Sequence, residues 1–174
     1  MNRTLILGLV LAAAPLNLPG QDNWTPIQYM SSSIWDIEGS VISLLGGGDW
    51  RVQNSSLILP IADATIVLEV GQRCGILVSG ISRTSACHLS GALTFSSGYL
   101  THVVAEYQDG AVLQMSDGSL WEVPRYDQYD TGWWLPPYQV IITADELYMI
   151  NLDDKGKRVW ISRRELAPNT GPIS

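Results

Sequence analysis

The sequence predicts an all-β protein built from small antiparallel barrels of SH3-like or OB-like size. Three observations support this prediction. Short apolar stretches alternate with polar residues in the two-residue period of a half-buried strand. Glycine, asparagine, aspartate and proline separate these stretches as turn residues. No stretch shows the periodicity of a helix of three turns or more, so we expect strands and turns throughout the chain.

Residues 1–20 have the features of a secretory signal peptide. Arg3 gives a short basic start, an apolar run covers 5–14, and prolines and Gly20 end it. A helix that spans a bilayer needs about 20 apolar residues, so this run is too short for a membrane anchor. We expect cleavage after Gly20 and a periplasmic or secreted protein that has no transmembrane segment once the signal is removed.

Residues 21–100 are predicted to contain a first β repeat and a segment that carries both cysteines. We expect an irregular lead-in over 21–33, followed by strands over 33–37, 40–45, 49–53, 64–70 and 75–78. The rest of this part is rich in serine and glycine, and short strands and loops are expected there.

The two cysteines, Cys74 and Cys87, are predicted to form a disulfide. Two cysteines in an exported chain most simply pair with each other, and the alternative is two buried free thiols. Closing a loop of this length would stabilise the fold by about 3 kcal/mol if only the entropy of the unfolded chain is counted. We therefore expect a structural disulfide that holds the middle segment.

Residues 101–166 are predicted to contain a second β repeat whose first turns are two Asp-Gly dipeptides. Asp109-Gly110 and Asp117-Gly118 supply the positive backbone angles that two-residue hairpin loops require. With 117 and 118 as the loop residues, Gln114 would face Trp121 across the hairpin. Later strands are expected over 139–143, 147–151 and 158–162. Six short strands of this kind would close a small barrel.

Both faces of the sheet that these hairpins form would be apolar. Trp121 would lie on one face. The opposite face would carry Val104, Leu113, Met115 and Leu120. Because a lone antiparallel sheet normally leaves one face polar, we expect the first repeat to cover this second face. The two repeats would then fold as one cooperative unit, followed by a disordered tail over 167–174.

The two predicted repeats match each other at an offset of 71 residues. This offset aligns Glu38 with Asp109, Gly39 with Gly110, Val41 with Val112, Gly47 with Gly118, Trp50 with Trp121 and Val52 with Val123. A turn glycine, a tryptophan and a valine in the same order predict an internal duplication.

The second repeat also carries a pattern that resembles a known family. The motif Asp-Gly-Ser-Leu-Trp-Glu-Val at 117–123 is followed by Asp127, Trp134, Val140 and Asn151. This pattern resembles a family of small exported bacterial proteins of unknown function, which carry an Asp-Gly-Ser-x-Trp-x-Val hairpin and a loop that contains tryptophan. The resemblance covers roughly residues 103–163. It implies bacterial export and a β domain, and it implies no catalytic residue.

Several functions are disfavoured by composition and motifs. The formal net charge is −7, whereas a nucleic-acid-binding face needs clustered lysine and arginine, so we expect no nucleic acid. The basic cluster within 155–164 is interpreted as a solvated strand end. His88 and His102 do not have the spacing of a metal-binding pair. A Gly-x-Ser-x-Gly elbow and a phosphate-binding loop before a helix are both missing from the sequence.

Acidic residues offer two further possibilities, and each has a simpler explanation. Asn151, Asp153 and Asp154 gather oxygen atoms in one turn, but hairpin chemistry explains them without calcium. Other carboxylates could form an acid/base pair, but most fall at turns or on strand faces. We therefore predict no enzyme, no cofactor and no metal site, and an envelope hydrolase remains a distant alternative.

Aromatic residues provide the candidate site. The chain has seven tryptophans and seven tyrosines but one phenylalanine. We expect a core position for the strand residues Trp35, Trp50, Trp121 and Trp160. A proline-containing loop gathers Tyr126, Tyr129, Trp133, Trp134 and Tyr138 beside Asp127 and Asp130. These rings suit sugar stacking or peptide docking, although the loop could equally plug a barrel end.

The prediction for function is an exported, non-enzymatic β module that binds a partner or contributes to envelope structure. The partner would be a protein or a glycan of the cell envelope. The alternative is a carbohydrate-binding protein that uses the aromatic loop.

Overall fold

The computed structural model describes residues 24–56, 58 and 61–164. The predicted signal peptide at 1–20 and the predicted tail at 167–174 lie outside these residues. Within them the regular secondary structure is almost entirely β-strand, which confirms the predicted fold class. In this part of the chain, no helix has the length and apolar character needed to cross a membrane.

The chain forms thirteen strands and one short helix, numbered in chain order. The strands are β1 (Thr25–Glu38), β2 (Val41–Leu44), β3 (Gly48–Val52), β4 (Asp63–Glu69), β5 (Cys74–Ser79), β6 (Ser82–Ser90), β7 (Ser96–Tyr107), β8 (Val112–Met115), β9 (Leu120–Glu122), β10 (Tyr138–Thr143), β11 (Tyr148–Asn151), β12 (Lys157–Trp160) and β13 (Ser162–Arg163). The helix, α1, covers Gln128–Thr131 and connects β9 to β10.

The first six strands form a closed antiparallel barrel. Each strand pairs with the next in the order β1–β2–β3–β6–β5–β4, and β4 pairs again with β1. Closure leaves this sheet without the unpaired edges at which sheets aggregate. We call its interior the first core, and its buried side chains include Ile34, Ile42, Trp50, Ile66, Leu68 and Leu77.

The last seven strands form a second ring with the same sequence of connections. On one side of β7 lie β8, β9 and β13, and on the other side lie β10, β11 and β12. Ile161 alone separates β12 from β13, so the chain itself completes the ring. The second core includes Val103, Leu113, Met115, Trp121, Trp134, Val140 and Val159. The sequence predicts a closed barrel in this half of the chain. In the structure, the barrel that is closed by strand pairing alone lies in the first half.

Strands β1 and β7 join the two barrels by pairing antiparallel to each other. Thr25 lies opposite Leu100, Ile27 opposite Gly98 and Tyr29 opposite Ser96. A third apolar cluster covers this junction and contains Ile27, Tyr29, Val67, Val78, Ile141, Ile150 and Leu152. The thirteen strands therefore belong to one continuous sheet.

Each barrel also contains an aromatic side chain that stands just before the first strand of the other barrel. Trp24, just before β1, packs in the second core, where its ring centroid lies 6.1 Å from that of Trp121. Phe95, just before β7, packs against the first core. The two barrels therefore contribute to each other's interior as well as sharing a sheet.

The lead-in predicted to be irregular over 21–33 is wrong from Thr25 onward. Strand β1 runs from Thr25 to Glu38 because β4 pairs with its first half on one edge while β7 pairs on the other. Pro26 and the run of serines at 31–33 have low intrinsic β-propensity. Hydrogen bonds from two neighbouring strands override that preference.

The hairpin register predicted around Asp117 and Gly118 is wrong by one residue. Leu113, and not Gln114, lies opposite Trp121. The loop contains three residues, because the Met115 amide donates to the Ser119 carbonyl at 2.9 Å. Gly118 supplies the positive φ of 84° that closes such a loop.

A one-residue shift moves every side chain of a strand to the other face of its sheet. Leu113 and Met115 therefore share the second core with Trp121. Val104 is exposed, and the second apolar face expected to contact the first repeat does not form. Contact between the barrels comes instead from the β1–β7 junction.

The predicted disulfide is confirmed. Cys74 on β5 and Cys87 on β6 are bonded to each other and lie directly opposite across the two strands. The bridge belongs to the first barrel alone, because both strands are part of that ring. It therefore lies inside the first barrel and not in a separate segment between the two repeats.

Candidate functional site

The candidate site is the connection from Pro124 to Pro137, which we call the aromatic segment. Its first turn forms because the Asp127 amide donates to the Pro124 carbonyl at 2.9 Å. The Gln128 side-chain amide donates to the Val123 carbonyl at 2.8 Å. These bonds start the single turn of α1 directly after β9.

Two buried side chains hold the aromatic segment against the second barrel. The Thr131 hydroxyl, fully buried, donates to the Gly110 carbonyl at 2.7 Å. A Cβ on Gly110 would lie 2.4 Å from the Gly132 nitrogen, so only glycine allows the β7–β8 turn to approach the helix end. Trp134 is 2% exposed and belongs to the second core.

Two carboxylates fasten the same segment to β12. One oxygen of Asp127 accepts the Trp160 backbone amide at 2.8 Å. One oxygen of Asp130 lies 2.8 Å from the Lys157 ammonium. This hydrogen bond raises the pKa of Lys157, and the charges of Asp130, Asp154 and Asp127 add to the effect. Asp127 thus accepts an amide of β12 at the last residue of that strand.

Four large apolar side chains of the aromatic segment face solvent. They are Tyr126, Tyr129, Trp133 and Leu135. Trp133 is 71% exposed, although Trp134 next to it is buried. Trp134 thus fills part of the second core, while its neighbours form an exposed surface. Each of the two interpretations of the sequence therefore holds for different residues of the segment.

The structure separates the five predicted site rings into two groups. Tyr126, Tyr129 and Trp133 lie at the surface, together with Leu135, which the sequence analysis did not select. Tyr138 begins β10 and is half-buried against the second core. With Trp134 it supports the segment and offers little surface to a ligand.

A second aromatic group lies on the neighbouring hairpin. The rings of Tyr148 and Trp160 have centroids 4.0 Å apart, and the Arg158 guanidinium carbon lies 3.4 Å from the Tyr148 ring centre. A guanidinium at this distance is attracted to the ring face. Since Trp160 also contacts Asp127, this stack adjoins the aromatic segment.

Two polar residues outside the aromatic segment, Asn151 and Asp49, stabilise local structure. The Asn151 side-chain oxygen accepts the amides of Asp153 and Asp154 at 2.8 and 3.1 Å, as in a turn stabilised without metal. Among the described residues, no group of three or more potential metal-binding side chains occurs. Asp49 accepts hydrogen bonds from the Ser90 and Ser43 hydroxyls, which hold its pKa below the ordinary value.

Trp35 and Trp160 are not core residues, contrary to expectation. Trp50 and Trp121 are fully buried, as predicted, but Trp35 is 72% exposed and Trp160 is partly exposed. A signal for Trp35 was present in the sequence. Ile34 and Trp35 are adjacent large apolar residues in one strand, and neighbouring side chains of a strand point to opposite faces.

Comparison with protein-family models, curated proteins and solved structures found no match for this chain.

Proposed function

We propose that this protein is an exported, non-enzymatic β module that binds a protein partner in the cell envelope through the aromatic segment. The observation that carries this proposal is the contrast within that segment. Thr131 and Trp134 are buried anchors, whereas Tyr126, Tyr129 and Trp133 are exposed. Export is supported by the signal-like sequence at 1–20 and by the Cys74–Cys87 disulfide, since disulfides persist in oxidising compartments.

Anchoring matters because binding free energy is lost when a flexible surface must be ordered. The aromatic segment is already fixed by buried packing and by the contacts of Asp127 and Asp130 to β12. Tyrosine and tryptophan are the side chains that most often dominate protein interfaces. A fixed surface of these residues is therefore suited to a protein partner.

Carbohydrate binding is the second candidate, and the neighbouring rings of Tyr148 and Trp160 favour it. Sugar binding also requires polar groups beside the rings. Asp127 and Asp130 lie beside these rings, but each already uses one carboxylate oxygen to hold the segment to β12. We therefore place a protein partner first.

The two barrels also support an inference of internal duplication. Ile42 lies opposite Trp50 on β2 and β3, and Leu113 lies opposite Trp121 on β8 and β9, at the 71-residue offset seen in the sequence. Both β1 and β7 shift register opposite residues that match at this offset: the shift in β1 lies opposite Leu44 and Ser43, and the shift in β7 lies opposite Met115 and Gln114. In this view the aromatic segment was elaborated in the second copy, because the connection from β3 to β4 is shorter.

A photo-crosslinking amino acid at position 133 or 129 tests the proposal in cells that export the protein. Illumination should join the protein to one discrete partner from either position. The control position is Val70, which is also exposed but lies on the first barrel. The absence of a discrete product from positions 129 and 133, or the same product from position 70, would reject the proposal.

Sedimentation with insoluble cell-wall polymers tests the carbohydrate alternative. If the unmodified protein sediments with these polymers, and Tyr129→Ala and Trp133→Ala abolish this, the partner is a glycan and the alternative replaces our first choice.

A further inference from the structure

A second exposed apolar surface lies on the first barrel, far along the sequence from the aromatic segment. Trp35, Leu45 and Ile61 are all large, apolar and exposed, and Ile61 is 87% exposed. They surround one stretch of β1. The Leu45 amide donates to the Ser33 carbonyl at 3.0 Å, and the Ile61 amide donates to the Ile34 carbonyl at 3.0 Å.

Two irregular features of the backbone present these side chains to solvent. The register of β1 shifts between Ile34 and Asp36, so Trp35 points outward while Ile34 stays in the first core. Such bulges redirect side chains and are frequent at functional sites. Ile61 has φ of 58°, a conformation that is unfavourable for a β-branched residue. The register shift and the backbone conformation of Ile61 both leave apolar side-chain surface exposed to solvent.

A fourth side chain extends this surface. Ile81, at the turn between β5 and β6, is 90% exposed. The turn lies beside β4, because the Ser79 hydroxyl donates to the Asp63 carbonyl at 2.9 Å. We call Trp35, Leu45, Ile61 and Ile81 the Trp35 patch. Exposed apolar side chains grouped around one stretch of a strand are typical of an interaction site.

Carboxylates border the Trp35 patch. Asp36 follows Trp35 in the chain, and Asp63 follows Ile61 by two residues. The Asp36 side chain accepts the Ile37 amide at 2.9 Å, and the Asp63 side chain accepts the Ser33 hydroxyl at 3.0 Å. Within the described part of the chain, neither carboxylate forms an ion pair. Neither charge is therefore paired directly with a cation in that part of the protein.

Cations also occur beyond Asp63, on the wall of a cleft of about 550 Å³ between the barrels. Lys157 there is bound to Asp130, and Arg158 lies over the Tyr148 ring. Lys155, the third, lies next to Asp154 in the chain and in the lining of the cleft. Asp63 therefore shares this cleft with three cations, whereas Asp36 lies outside its lining, so the border of the Trp35 patch is most acidic beside Trp35.

We propose that the Trp35 patch docks a segment of a partner protein that carries bulky apolar side chains flanked by lysine or arginine. An exposed tryptophan surrounded by aliphatic side chains provides the apolar centre of an interface. Asp36 and Asp63 supply the complementary charge, which selects basic partners and speeds their association. The same carboxylates, in a protein of net charge −7, disfavour an anionic lipid surface as the occupant.

The test is an NMR titration of the full protein, labelled with 15N, with two synthetic peptides. One has the sequence Lys-Leu-Trp-Leu-Lys, and the other has Glu-Leu-Trp-Leu-Glu. The basic peptide should shift the amide signals of Trp35, Leu45 and Ile61 saturably, and added salt should weaken it. The acidic peptide should bind about tenfold more weakly or worse.

Four variants locate and explain the binding. Trp35→Ala should weaken the basic peptide by about tenfold or more, which is typical of an interface tryptophan. Asp36→Asn and Asp63→Asn should weaken the basic peptide without weakening the acidic one. Val70→Ala is the control, since Val70 is 61% exposed on the first barrel and belongs neither to the Trp35 patch nor to the aromatic segment, and it should leave binding unchanged.

Any of four results would overturn the proposal. The first is equal affinity for both peptides. The second is the absence of saturable binding of the basic peptide. The third is a dimer, detected by sedimentation, that Trp35→Ala dissociates, which would make a second copy the occupant. The fourth is cosedimentation with phosphatidylglycerol vesicles that Trp35→Ala abolishes, which would make the occupant a membrane.

Discussion

Ile27 lies directly opposite Gly98 across the β1–β7 junction, and these two residues are 71 positions apart, the offset that also relates Trp50 to Trp121. In the pairs on either side, Thr25 faces Leu100 and Tyr29 faces Ser96. Strands β1 and β7 thus hold the two barrels together along this antiparallel pairing. Side chains at this junction should therefore affect the stability of both barrels.

Gly98→Val should destabilise the protein by about 1–3 kcal/mol, as overpacking of a tight site typically does. A Cβ at this position would lie 2.8 Å from both the Ile141 methyl carbon and the Ile142 carbonyl oxygen. Urea unfolding measures the change. The neighbouring variant Ser97→Ala, at an exposed position, should change the free energy of unfolding by less than about 0.5 kcal/mol. Equal stabilities of the Gly98 variant and the native protein would contradict the tight fit.

Trp121→Ala should destabilise the protein by about 3–5 kcal/mol, because truncating a buried tryptophan leaves a cavity in the second core. The matched exposed change is Trp133→Ala, for which we expect less than about 0.5 kcal/mol. Thermal unfolding followed by circular dichroism compares the two. An unchanged melting temperature for Trp121→Ala would show that Trp121 is not a core residue in solution.

The fragment 101–174 should not show the sharp thermal transition of the full protein. It lacks Trp24, whose ring packs beside Trp121, and it lacks the first half of β7, which pairs with β1. Calorimetry of the fragment and of the full protein is the measurement. A soluble fragment with a sharp transition at the temperature of the full protein would show that the two barrels are independent.

Replacing both cysteines by alanine should lower the free energy of unfolding by about 3 kcal/mol, the entropic value for a loop of this length. Cys74 and Cys87 are 13 residues apart and lie within the first barrel. If the barrels unfold together, tryptophan fluorescence, which also reports Trp121, should show one transition at lower denaturant. Two separate transitions would instead show that the loss is confined to the first barrel.

Asp49→Asn should remove part of the acid sensitivity of the protein. Hydrogen bonds from Ser90 and Ser43 lower the pKa of Asp49 from its ordinary value of 3.8. A lowered pKa in the folded state stabilises the fold at pH above 3.8, and this stabilisation is lost as the pH falls through the folded-state pKa. Urea unfolding from pH 7 downward should therefore show a stability difference between the two proteins that shrinks in acid. A difference that does not vary with pH would refute the link.

The sequence predicts the parts of the fold that depend on local pattern. Turn glycines and alternating apolar residues locate β2, β3, β8 and β9, and the cysteine count predicts the bridge. The length of β1 was not predictable, because its serine-rich part is held by partners distant in the chain. The outward position of Trp35 was missed although the sequence carried a signal for it, since Ile34 and Trp35 are neighbours in one strand and point to opposite faces. In the aromatic segment, composition indicates a ring cluster, but only three-dimensional packing separates Trp133 from Trp134.

The facing pair Tyr148–Trp160 on β11 and β12 occupies the position that Cys74–Cys87 occupies on β5 and β6. One hairpin is fastened by stacked rings and the other by a covalent bond. The rings require no oxidant, so the second hairpin can close as soon as its strands meet. The first hairpin gains its bond only where thiols are oxidised. The first hairpin is therefore secured only once the chain meets an oxidant, whichever barrel is synthesised first.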